Sequence, residues 1–275
     1  MVNLPPEITA PWELEAELAI RRLGSGRTRP IALHARATEP NVKSIECVVK
    51  PRRRLTMPPL EYLCEWVGSA LALAMGLRTP RPHRLRIDSM FADSVADPEL
   101  REDLRASIGL AFGSQYVSDG FTQYAAGLAL SSTQRGAAAM VLGFDVFVHN
   151  PDRRAANPNL FVDRSGFLLF DHEQAFSFLL PLIGAPPPEI SPALDIVEHH
   201  VLRHAFGRSG PDFGPFREAL SKVDDPTLEA IARSVHEEWT VGAAQAKLPR
   251  IMEVLAERRD KLDEWLPQVE AAVMR

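Results

Sequence analysis

Residues 149–173, His-Asn-Pro-Asp-Arg-Arg-Ala-Ala-Asn-Pro-Asn-Leu-Phe-Val-Asp-Arg-Ser-Gly-Phe-Leu-Leu-Phe-Asp-His-Glu, leave the chain few ways to fold. Pro151 disfavours helix in the residue before it, so the apolar helix predicted around Ala137–Val148 ends at His149. A proline-bounded loop with Asp152, Arg153 and Arg154 follows. Leu160-Phe-Val and Phe167-Leu-Leu-Phe then flank Asp-Arg-Ser-Gly, a turn composition, and predict a hairpin. With Val162 opposite Phe167, Asn159 faces Phe170 and Asn157 falls within one residue of facing Asp171. Facing residues in such a pair lie about 4.5–5.5 Å apart at Cα. Asn157 and Asp171 are thus expected at the open end of the hairpin, beside the loop that holds Asp152.

Two carboxylates and an amide oxygen make a hard-oxygen site, which suits Mg²⁺ shared with phosphate. Phosphoryl transfer needs an Asp to accept the hydroxyl proton, an Asn five residues on for metal, and a second metal-binding Asp after a hairpin. Asp152, Asn157 and Asp171 follow that order and offset. The competing reading is Asp and Asn side chains closing Asx turns in an ordinary loop.

The chain around this segment is long enough for two lobes: 275 residues, 45% hydrophobic and 24% charged. A net charge of −5 argues against a dedicated nucleic-acid binder. Cys47 and Cys64 have neither disulfide-framework nor zinc spacing and read as buried thiols in a reducing compartment. No signal peptide and no apolar run near the ~20 residues of a membrane span are visible, so a soluble cytoplasmic protein without membrane contact is expected.

Residues 1–11 read as an irregular arm, and Trp12–Leu23 fits helix or strand equally well. Gly24-Ser25-Gly26 marks a turn. Strands are predicted at Ile31–Ala35, Ile45–Lys50 and His83–Ile87. Leu60, Leu63, Val67, Leu71 and Met75 form the apolar stripe of a helix that Gly76 stops. Residues 88–111 begin polar and acidic and turn apolar near Ile108–Phe112. Residues 181–192 form a proline-rich loop, and amphipathic helix dominates from Leu194 onward. The whole is an α+β chain, strand-rich first and helix-rich after.

Phe144-Asp-Val-Phe-Val-His-Asn-Pro-Asp-Arg-Arg154, Asn157-Pro-Asn-Leu160 and Phe170-Asp-His-Glu-Gln-Ala-Phe176 closely resemble the catalytic segment of HipA-like kinase domains. That bacterial family has a bilobal protein-kinase-like fold related to phosphoinositide kinases. Val48-Val49-Lys50 is similar to the strand whose lysine pairs ATP phosphates. Glu65 and Ala74-Met-Gly-Leu-Arg-Thr-Pro80 resemble the family's Glu-containing helix and its exit. The likeness spans roughly residues 20–178. It implies Asp152 as catalytic base, Asn157 and Asp171 as metal ligands, and Lys50 and Glu65 on the nucleotide, with ATP and Mg²⁺ as cofactors. Residues 12–113 are then the N-lobe and 114–275 the C-lobe. The adenine-binding connection falls in Gly113–Ser118, with Gln115 and Tyr116. Gly24-Ser25-Gly26 is shorter than a kinase glycine loop, and Asp171-His-Glu173 stands where protein kinases have Asp-Phe-Gly.

Other residues have plainer readings. Arg52, Arg53 and Arg54 read first as a solvated surface patch and second as a site for an anionic partner. Glu61 and Glu65 lie one turn apart, and either reaches toward Lys50. Arg153 or Arg154 is expected to neutralise a phosphoryl group, brace Asp171 or face solvent. His149 reads as structural, and His200 and His204 lack the Glu of a zincin motif. The expected activity is phosphoryl transfer to a protein Ser/Thr, the chain itself included. Rivals are a small-molecule kinase of the aminoglycoside or choline kinase class, and a pseudokinase that binds nucleotide or a partner without turnover. The resemblance also brings in an antitoxin-like partner.

Overall fold

Alternation decides the first half of the chain. β1 (Glu13–Arg22) is a strand, because it pairs antiparallel with β2 (Ile31–Ala37) and so satisfies its backbone. β2 turns Ile31, Leu33, Ala35 and Ala37 inward, and β3 (Ile45–Val49) turns in Cys47 and Val49. The computed structural model describes Pro5, Ile8 and residues 13–24, 28–37, 44–117, 120–180, 187–207 and 210–275. Most of the expected N-terminal arm, Ser25-Gly26 of the predicted turn, Ser118 and residues 181–186 lie outside the described residues.

α1 (Pro58–Ala74) begins with prolines in its first turn, where a missing N–H costs nothing. It stops where Gly76 takes φ +75° and Leu77 N–H donates to Ala72 O at 2.8 Å. The predicted stripe is buried, but so is every other residue from Leu60 to Ala72. A second layer covers the far face: Trp66 Nε1 donates to Ser234 Oγ at 2.9 Å, and its ring lies 5.6 Å from that of Trp239.

After β4 (Pro82–Ile87), the acidic segment folds as α2 (Ser89–Ser94) and α3 (Pro98–Arg105), capped by Asp88 and Asp97. β5 (Gly109–Gln115) then completes a closed barrel in the order β1-β2-β3-β5-β4, shut by the parallel β1–β4 pair. Closure leaves no open edge. The arginine run departs from its expected solvated role. Arg54 reaches Glu99 at 2.9 Å and buried Asp103 at 3.2 Å, and Arg53 reaches Glu102 at 2.6 Å. A fully buried carboxylate must be paired, and Asp103 draws in Arg22 as well, at 2.7 Å. The run thus ties α3 to the barrel.

The second half holds β6 (Thr122–Gln123), α4 (Ser132–Phe147), β7 (Leu160–Asp163) and β8 (Gly166–Leu169), the strands forming a sheet ordered β6-β7-β8. Val162 pairs with Phe167, the predicted register. Asp163 closes the turn by accepting from the N–H groups of Ser165 (2.8 Å) and Gly166 (3.1 Å). α4 packs on β8 and starts at a capping box of Ser131 and Gln134. α5 (Leu194–His199), α6 (Gly214–Leu220), α7 (Asp225–Ser234), α8 (Lys247–Asp260) and α9 (Leu262–Val273) follow. α7 returns against α1, so the end of the chain covers the helix of its first half. Among the described residues no helix is long and apolar enough to cross a membrane.

Candidate functional site

Lys50 leaves the end of β3, and its carbonyl accepts the Tyr62 hydroxyl at 2.9 Å, so barrel and α1 fix its backbone together. Its Nζ donates to Glu65 Oε1 (2.5 Å), Asp171 Oδ1 (2.5 Å) and Glu173 Oε2 (2.8 Å). Glu65 Oε2 accepts the N–H of His172 at 2.8 Å. One glutamate on α1 thus holds both the lysine and the backbone beside Asp171.

Burial alone would lower the Lys50 pKa, but the charges of Asp171, Glu65 and Glu173 outweigh it and hold the ammonium well above its ordinary range. Burial raises Glu65 to about 7 against the pull of Lys50. Asp171 is also raised by burial, yet the charge and hydrogen bond of Lys50 prevail and keep it low. Carboxylate oxygens of Glu65, Asp171 and Glu173 lie within 4.8 Å of one another. Three carboxylates face one ammonium, a surplus of hard, negative oxygen that fits a divalent cation.

Asp152 lies one loop away. Its Oδ2 accepts from Asn157 Nδ2 at 2.7 Å and Asn159 Nδ2 at 3.1 Å. Burial first, and then the charge of Asp171, raise its pKa against the hydrogen bond from Asn159. Asn159 and Asp171 both take left-handed backbone, φ 49° and 64°, a conformation that costs most residues free energy but Asn and Asp least.

Lys50, Glu65 and Asp171 thus meet in one group, and Asp152 and Asn157 in another beside it. Asn157 donates to Asp152, a contact that hairpin arithmetic did not foresee. Gln115 and Tyr116 stand apart: their N–H groups donate to Arg81 O (2.9 Å) and Glu46 O (2.8 Å), and the Tyr116 hydroxyl accepts from Arg21 at 3.0 Å. Both N–H groups are spent inside the protein, so adenine recognition by this pair would fall to carbonyls or side chains. Glu61 caps the start of α1, accepting Met57 N–H at 3.0 Å, which leaves Glu65 as the lysine's helix partner. Arg153 is buried, paired with Asp145 and bonded to Phe170 O, the carbonyl before Asp171, while Arg154 is exposed, its Nε on Pro151 O at 2.7 Å. His200 bonds Asp145, and among the described residues no metal-type cluster forms there. Sequence reasoning missed Glu173 and Asn159. The signal for Glu173 was two carboxylates two positions apart in Asp171-His-Glu173; Asn159 had none beyond its amide.

No curated protein matches the chain. The family model described as HipA-like kinase matches residues 20–263, a span that includes Lys50, Glu65, Asp152, Asn157 and Asp171. With that match over most of its length, the chain belongs to the HipA-like kinase family.

Proposed function

We propose that the chain is an ATP- and Mg²⁺-dependent phosphotransferase whose acceptor is a protein Ser/Thr hydroxyl. We read it as a bilobal protein-kinase-like enzyme, residues 12–113 forming the smaller lobe and 114–275 the larger. The observation that carries the reading is the meeting of Lys50, Glu65 and Asp171, from three separate parts of the chain, at 2.5 Å contacts. Lys50 orients the phosphates and Glu65 holds Lys50 in place. Asp152 receives the acceptor's proton, its Oδ2 aimed by the amides of Asn157 and Asn159. Asp171 and Asn157 would hold the metal, with Glu173 completing the carboxylate set. A bound Mg²⁺ supplies neutralisation of phosphoryl charge.

The test is incubation with Mg²⁺ and γ-labelled ATP, followed by mass spectrometry of the protein and of a cell extract. Transfer to a hydroxyl-bearing protein residue, abolished by Lys50→Met in a variant that still folds, is expected. Mg²⁺-ATP should also raise the melting temperature, because a ligand of the native state stabilises it by mass action. A thermal shift without turnover would mark a pseudokinase, and transfer to small molecules alone the aminoglycoside or choline kinase class. Neither shift nor turnover at millimolar ATP would overturn the nucleotide site.

A further inference from the structure

Behind the loop lies a buried polar group that the chemistry above does not use: Asp145 on α4, Asn150, Arg153 and His200, each at most 5% exposed. Asp145 is its hub. Its Oδ1 accepts from Asn150 Nδ2 at 3.1 Å, and Asn150 Oδ1 in turn accepts the backbone N–H of Asp152 at 3.2 Å. Its Oδ2 accepts from Arg153 Nε at 2.5 Å and lies 2.9 Å from His200 Nε2. Arg153 carries the connection onward: its Nη1 donates to the carbonyls of Asn159 (2.5 Å) and Phe170 (3.3 Å).

We propose that Asp145, with Arg153 and His200 around it, is a positioning centre that sets Asp152 and Asp171 relative to each other. The proposal rests on the reading of Asp152 as base and Asp171 as metal ligand. From one carboxylate, the path through Asn150 ends on the backbone of Asp152. The path through Arg153 ends on the carbonyl immediately before Asp171. The second path also holds Asn159, whose amide aims Asp152. This second path ends at left-handed backbone, Asn159 at φ 49° and Asp171 at φ 64°, which the two carbonyl contacts of Arg153 brace.

His200 fixes the hub from the other side. Its Nδ1 accepts the N–H of Leu202 at 3.1 Å, so in the neutral ring the proton is on Nε2 and points at Asp145. The N–H of Val201 donates to Arg153 O at 3.0 Å, so the same segment also grips the loop directly. A buried ion pair contributes little net stability against its desolvation; what it contributes here is register among three segments. Asp145, Arg153 and His200 are positioning residues, since none touches the reacting atoms.

The test uses the full chain with His200→Ala, His200→Gln (which keeps a donor where Nε2 stands) and Arg153→Lys (which cannot reach both carbonyls). Two readouts are taken: hydrogen exchange of the nucleotide-free protein, and steady-state kinetics with Mg²⁺-ATP. His200→Ala and Arg153→Lys should raise exchange in residues 150–159 and 168–173 together. They should lower kcat by about 10–100-fold, the usual cost of losing a supporting partner, and raise KM for Mg²⁺-ATP as well, since the Asp171 segment loosens with them. His200→Gln should restore most of kcat. Exchange changes confined to residues 198–204, or a Gln variant as poor as Ala with kcat falling only in step with melting temperature, would overturn the proposal. Absence of turnover in the unaltered protein would defeat the kinase reading, while the exchange pattern would still judge the positioning centre.

Discussion

Asp152 and Asp171 are the same residue type, yet their surroundings push them apart. Burial and a neighbouring carboxylate raise Asp152, whereas Lys50 overrides burial at Asp171 and keeps it ionised. Divergent environments of this kind suit the base and the charge-bearing ligand proposed for these two residues. The two Asn substitutions should therefore separate binding from chemistry. Asp171→Asn removes a carboxylate from the cation's donor set and should weaken Mg²⁺-dependent nucleotide binding in calorimetric titration. Asp152→Asn should bind Mg²⁺-ATP normally and turn over about 10²–10⁴-fold more slowly, the usual worth of a general base. Full activity in Asp152→Asn together with normal binding in Asp171→Asn would contradict the assignment of this loop.

At the scale of elements, α1 sets the site by how closely it approaches the segment after β8. Gly68 faces His172, and a Cβ there would stand 2.6 Å from the His172 Cβ. No side chain fits without moving His172, whose N–H is held by Glu65 and whose neighbour is Asp171. Gly68→Ala is expected to cost about 1–3 kcal/mol in denaturant unfolding and to weaken Mg²⁺-ATP binding as well. At Gly136 in α4 an added Cβ would meet open space, with nothing within 4 Å, so Gly136→Ala should instead stabilise by about 0.4–1 kcal/mol. Equal effects of the two substitutions would show that helix approach does not hold the site.

At the scale of the whole molecule, burial holds histidines neutral in both halves. His83 on β4 and His149 after α4 are each lowered to about 3, by burial first and then by Arg81 and Arg258 respectively. In the unfolded chain an imidazole binds its proton below about 6.5. Their contribution to stability is therefore complete above pH 6.5 and declines as pH falls toward 3. Each ring takes away about 1.4 kcal/mol per pH unit in that window. Ring resonances of His83 and His149 should not titrate between pH 7 and 4, and their part of the acid loss should vanish in variants that replace them. Normal titration of either ring near pH 6.5 in the folded protein would refute this.

Much of the site was legible because it rests on local rules. Pro151 ended a helix, Asp-Arg-Ser-Gly closed a hairpin, and the five-residue offset of Asp152 and Asn157 put carboxylate and amide in one loop. The Val162–Phe167 register followed from turn position alone. Distant partners obey no local rule. Nothing near Arg153 in sequence says that it turns inward to Asp145, or that Arg53 and Arg54 meet the acids of α3. Whether residues 13–22 formed helix or strand was undecidable until β2 and β4 offered backbone partners. Local chemistry and turn geometry are written residue by residue, so the sequence by itself determined the inner strands expected at 31–35, 45–50 and 83–87, the helix that Gly76 stops, the helix before Pro151, the hairpin and the residues of the loop. Which buried charges pair, that α1 is covered on every side and which carboxylates share Lys50 depend on segments far apart in the chain, and only the tertiary structure decided them, because desolvation forces each buried charge onto whatever partner packing brings near.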